Sequence, residues 1–215
     1  MQVRQPAIAG SFYPASAVAL NAMLDDCWRK RVTLDVAVPK AMIVPHAGLV
    51  YSGPIAATAY ATLARRASQI TRVVLLGPSH HFGFEGFAVP AVDAWATPLG
   101  IVRLDRQALG ALATRTDVAT SDQAHAPEHS LEVHLPFLQR TLPNFSLVPV
   151  AVGRTTPDAG AELLAQLWGG DETLIVISSD LSHFFEQQVA QAVDAQTTAV
   201  IESLDADAVL NADAC

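Results

Sequence analysis

Four short apolar runs rich in β-branched residues constrain this chain more than any other feature. They are "KAMIV" (40–44), "RVVLL" (72–76), "FSLVPVAV" (145–152) and "TLIVIS" (173–178). Each is too short for an independent helix and too evenly apolar for a strand with one wet face, so each reads as a strand covered on both sides. Helical patterns stand between and after them, around 54–66, 128–141, 157–168 and 187–204. Strand alternating with helix predicts an α/β fold of three layers, a central, mostly parallel sheet with helices on both faces. The shorter-stepped region 86–105 is expected to add antiparallel structure at one edge. Upstream, residues 17–30 place Leu20, Met23, Leu24, Cys27 and Trp28 on one helical face, so Cys27 reads as a small buried hydrophobe.

Composition narrows the function classes. The chain has 215 residues, 51% of them hydrophobic and 16% charged, which is enough apolar material for one well-packed domain spanning 1–215. Its net charge is −8, and no Lys/Arg cluster exceeds the short "WRKR", which argues against nucleic acid or an anionic membrane as a partner. No apolar run approaches the roughly 20 residues of a spanning helix. The start "MQVRQPAIAGSFYPAS" lacks the apolar core of a secretory signal. Two cysteines, Cys27 and Cys215, do not make a disulfide framework. These features predict a cytoplasmic protein.

The chemistry collects just past the strands. After "KAMIV" comes Pro45-His46-Ala47-Gly48, after "RVVLL" comes Gly77-Pro78-Ser79-His80-His81, and after "TLIVI" comes Ser178-Ser179-Asp180-Leu181-Ser182-His183. Ligands of open α/β sheets bind outside the carboxyl ends of the strands. Of seven histidines, four (His46, His80, His81, His183) stand there, and the other three (His125, His129, His134) share the segment "HAPEHSLEVH". Imidazole is the commonest metal ligand and the usual acid/base near neutral pH. Two histidines with one more donor and open coordination positions suit a catalytic metal, and a further histidine can move protons. His46, His80 and His183 are therefore expected to converge on one cleft.

Other motifs fit less well. "GPSHH" is not a nucleophile elbow, because His81 stands where glycine is required. A serine hydrolase built on Ser179 or Ser182 with His183 lacks an identifiable base and oxyanion hole. "HSLEVH" is not H-E-x-x-H, and on a regular helix His129 and His134 would point about 140° apart. His129 and Glu132 can share a helical face, which suggests supporting roles rather than ligation. No phosphate loop or G-x-G-x-x-G occurs.

With these pieces in view the sequence resembles the Memo family, which includes the AmmeMemoRadiSam system protein B group. The matching stretches are "AGSFYPAS" (9–16), "VPHAGLVYSGPIAATAY" (44–60), "LGPSHH" (76–81), "EHSLEVHLPFLQ" (128–139), "VPVAVG" (148–153), "ISSDLSHF" (177–184) and "ADAC" (212–215). The resemblance implies a fold like that of the class III extradiol dioxygenases and a non-haem redox metal centre. It implies His46, His80 and Cys215 as metal ligands, His183 as acid/base with Asp180 to orient it, and His81, Glu132 and His134 as pocket residues. The cofactor it implies is a divalent transition metal, iron or copper, with zinc also compatible with a thiolate. Partners would be a small-molecule or peptide ligand and components of a radical-enzyme system. Two alternatives stay open, a non-catalytic peptide- or ligand-binding module and a zinc-dependent hydrolase. Family members continue past the final cysteine, so a C-terminal segment is expected to be missing here and Cys215 to be poorly held.

Overall fold

The computed structural model describes residues 1–209, so Cys215 lies outside the described residues. The chain divides into two compact units, Met1–Ser178 and a second beginning at Ser179. The first unit runs β1 (Val3–Arg4), α1 (Ala17–Lys30), β2 (Ala41–Val44), α2 (Leu49–Ala61), β3 (Arg72–Pro78), β4 (Phe87–Val89), β5 (Ala94–Thr97) and β6 (Gly100–Arg103). It continues through α3 (Arg106–Leu112), β7 (Val118–Thr120), α4 (Asp122–His125), α5 (Leu135–Thr141), β8 (Ser146–Val152), α6 (Pro157–Leu167) and β9 (Thr173–Ser178).

The four apolar runs are β2, β3, β8 and β9, and they form the parallel part of a six-stranded sheet ordered β2-β9-β3-β8-β4-β7. In β3, β8 and β9 the even apolarity has the expected cause, whereas β2 stands at the end of the strand order and leaves Ala41 and Ile43 exposed, so it is not covered on both faces. Val73, Val74 and Leu75 of β3, Leu147 and Val148 of β8, and Leu174, Ile175 and Val176 of β9 are all buried, on both sheet faces. Each such side chain contributes about 1.5–3 kcal/mol relative to an exposed one. Helices flank the sheet. Leu20, Leu24 and Cys27 give α1 its buried stripe, and α1 lies against α2 where a Cβ at Gly53 would collide with Cys27 Sγ. Cys27 is thus a core residue, as its helical spacing predicts.

Three details depart from the sequence pattern. Residues 86–105 divide: β4 pairs antiparallel with β8 and carries β7, whereas β5 and β6 form a separate three-stranded sheet with β1. Buried Trp95 and Val102 hold that small sheet to the core. The second helix begins at Leu49, ahead of Pro54, because backbone bonds from Tyr51 and Ser52 to the Gly48 carbonyl already close its first turn. The third departure matters most. The helix expected from 128 begins only as a 3-10 turn at Glu132–His134 before α5, leaving Glu128 and His129 in a non-helical loop. The Glu128 carboxylate instead takes up the backbone N–H groups of His129 and Ser130.

In the second unit, α7 (Gln187–Glu202) precedes α8 (Ala206–Val209). Phe184 adopts φ 64°, a left-handed conformation unusual for an aromatic residue. No helix among the described residues is long and apolar enough to cross a membrane.

Candidate metal centre

The carboxyl ends of β2 and β3 each release the chain into a histidine, and the loop after α4 brings a third. His46, two residues past β2, is 1% exposed, and its Nδ1 lies 2.7 Å from Ser178 Oγ at the end of β9. His80, two residues past β3, has Nδ1 2.9 Å from Glu128 Oε1, while its backbone N–H donates to Glu128 Oε2 at 2.6 Å. His129 stacks on His80 with ring centroids 4.4 Å apart. The His46 ring is 5.3 Å from His80 and 5.6 Å from His129. One nitrogen from each of the three rings lies within 4.8 Å of the other two, a spacing that could hold a metal ion. Phe12 covers one side of His129, with centroids 4.7 Å apart.

A family model described as "Memo-like protein" matches residues 4–213. The chain belongs to the Memo family. A relative from Aquifex aeolicus, a MEMO1 family protein, is 35% identical over 96% of this chain and 77% of its own length. Another from Methanobrevibacter smithii is 36% identical over 94% of this chain and 77% of its own. A third, from Ignicoccus hospitalis, is 36% identical over 95% and 77% respectively. The Memo stretches "PHAG" and "GPSHH" are therefore the two strand ends that bring His46 and His80 together.

Glu128 dominates the electrostatics around these three rings. It is 1% exposed and accepts from the His80 ring and from the backbone N–H groups of His80, His129 and Ser130. Burial alone would raise its carboxyl, but hydrogen bonds from the His80 ring and from the Ser130 and His80 backbone outweigh burial and lower it to about 2. A buried carboxylate beside imidazoles leaves negative charge that a cation can neutralise. A second grouping, His81, Glu128 and His129, also lies within 4.8 Å. Glu128 already receives N–H donors on both oxygens there, so orienting neighbours suits it better than ligation. Exposed His81 stands beside the cluster, its ring centroid 6.0 Å from that of His129.

The other residues singled out from sequence each have partners of their own. Glu132 is fully buried and accepts from Arg4, from Tyr13 and from the backbone N–H groups of Ala7 and Ile8, which ties the N-terminal strand to the core. His134 is 1% exposed, with Nδ1 3.0 Å from the Tyr60 hydroxyl, and burial followed by the charge of His46 lowers it to about 3. In the second unit, His183 Nε2 lies 3.5 Å from the Asp180 carboxylate. His129 is the residue for which helical reasoning misleads. Its supporting role rests on a helical face shared with Glu132, and residue 129 is not helical. Glu128 opens the stretch "EHSLEVHLPFLQ", yet nothing in the spacing of that stretch assigns it a role.

Proposed function

We propose that this Memo-family chain is a non-haem metal enzyme of redox type. The convergence of His46, His80 and His129 within 4.8 Å at the strand ends carries this reading. His46 and His80 would hold the metal with His129 as a third donor, and the family resemblance adds Cys215. Imidazole donors accommodate iron, copper and zinc alike. A bound transition metal supplies Lewis acidity and one-electron chemistry at the open positions of such a site.

The chain's own residues do the remainder. Glu128 holds the His80 ring by Nδ1, which leaves Nε2 as the ligating nitrogen in the neutral ring. Phe12 limits water on one side of His129. We assign proton transfer to His183, with Asp180 holding its Nε2 side, and a pocket-wall role to His81 and His134. The substrate is a small molecule or peptide, and the location cytoplasmic.

One observation favours a second reading. Three imidazoles with an open fourth position are also the donor set with which zinc activates water, so a zinc-dependent hydrolase is the competitor. Elemental analysis of freshly purified protein separates the two. Iron or copper in stoichiometric amount, lost in His46→Ala and His80→Ala and strongly reduced in His129→Ala, supports the redox centre. Zinc at the same stoichiometry moves the reading to hydrolysis. Equal metal content in wild type and His46→Ala refutes ligation altogether.

A further inference from the structure

We propose that Ser178 and Glu128 are positioning residues that lock His46 and His80 in the same tautomer, and that the single loop Glu128–Ser130 does this for both rings. The consequence for metal binding rests on the reading above, while the hydrogen-bond wiring stands apart from it.

Counting protons fixes the first ring. Ser178 is 2% exposed, and its hydroxyl carries one hydrogen. That hydroxyl lies 2.7 Å from the Ser130 carbonyl oxygen, which can only accept, so the hydrogen is committed there. The same Oγ lies 2.7 Å from His46 Nδ1. With its hydrogen already directed elsewhere, Oγ must accept, and His46 must donate from Nδ1–H. In the neutral ring the lone pair is then on Nε2.

His80 reaches the same state by another route. Its Nδ1 lies 2.9 Å from a carboxylate oxygen that can only accept, so it too is Nδ1–H with the lone pair on Nε2. Both neutral rings thus carry the proton on Nδ1 and the lone pair on Nε2. The two routes share one anchor, because the Ser130 carbonyl and the Glu128 carboxylate belong to the same turn. Ser130 Oγ donates to the Pro78 carbonyl at 2.8 Å, pinning that turn to the end of β3. Gly77 makes the close approach feasible: a Cβ there would stand 3.0 Å from both Ser130 Oγ and Ser178 Cβ.

The test is long-range proton–nitrogen NMR on the whole chain, labelled at histidine, stripped with chelator and held at a pH where the rings are neutral. Both His46 and His80 should show a protonated Nδ1 and a bare Nε2. Ser178→Ala should turn His46 into a tautomer mixture without altering His80, and Glu128→Gln should disturb His80 directly and His46 to a smaller degree through the shared turn. Cobalt(II), titrated as the probe, should bind each variant about 10–100-fold more weakly than wild type. Protonated Nε2 on His46 in wild type overturns the proposal. So does a Ser178→Ala protein with unchanged His46 tautomer. If that variant does not fold, the wild-type spectrum and Glu128→Gln decide. Tautomers that respond as described in a protein that binds no cobalt(II) uphold the wiring and bring down the metal reading instead.

Discussion

Glu128 and Glu132 belong to one short segment, and both are at most 1% exposed, yet their surroundings differ in one respect. Glu132 is met by a guanidinium. Arg4 Nη1 lies 2.5 Å away, and Arg4 also donates to the backbone carbonyls of His125 and Glu128 while covering the Trp95 ring. Glu128 is met by amide N–H groups and by imidazole, none of which is a permanent cation. The first carboxylate is neutralised by the fold and serves to fasten the N-terminal strand. The second keeps its charge beside three histidines. Two buried acids of the same chemistry thus become a fastening and a functional group according to whether a fixed positive charge accompanies them.

The strongest way to break this contrast is Arg4→Met. It leaves Glu132 buried without its cation and should cost about 3–5 kcal/mol, read as a lower urea midpoint. Because Arg4 also donates to the Glu128 carbonyl, cobalt(II) affinity should fall along with stability, and an unchanged affinity would show that the Glu128–Ser130 turn holds without that bond. A second effect lies on the same structural side. Burial lowers His125 to about 4, below its unfolded value of about 6.5. The native ring therefore resists a proton that the unfolded chain accepts, so its contribution is complete above about 6.5 and is lost as pH falls toward 4. Between pH 6.5 and 5 this amounts to about 2 kcal/mol, and a urea midpoint that stays level across that interval would contradict it.

Gly77→Ala probes the other side. Its Cβ would press on Leu131, Ser130 and Ser178, with a cost of about 1–3 kcal/mol and weakened cobalt(II) binding. Unchanged metal affinity would mean that the loop tolerates displacement. The smallest change, Thr156→Ala, removes the cap that accepts from the Ala159 N–H at the start of α6. About 1 kcal/mol of stability should go and metal binding should stay put, giving the baseline for a site-independent loss.

Much of this architecture was legible in the sequence. The even apolarity of β3, β8 and β9 announces burial on both faces, and the strand–helix alternation announces parallel pairing. His46 and His80 were legible because a histidine at a strand end is positioned by the strand itself. His129 was not, since its place depends on a loop whose course is set by hydrogen bonds to Glu128. Such bonds leave no periodic pattern. The division of 86–105 between two sheets was hidden for a similar reason. Strand length and alternation say that β4, β5 and β6 are strands, but partner choice rests on where Trp95 and Val102 find the core.

The three rings come from segments far apart in the chain, one after β2, one after β3 and one in the loop beyond α4. An unfolded chain holds no such trio together, so a metal that binds here binds the native state almost exclusively. Ligation then becomes a reservoir of folding free energy: at a free ion concentration a hundred times the dissociation constant, the native state gains about 2.7 kcal/mol. The melting temperature should follow metal supply, and cells short of the metal would hold a larger unfolded fraction of this protein.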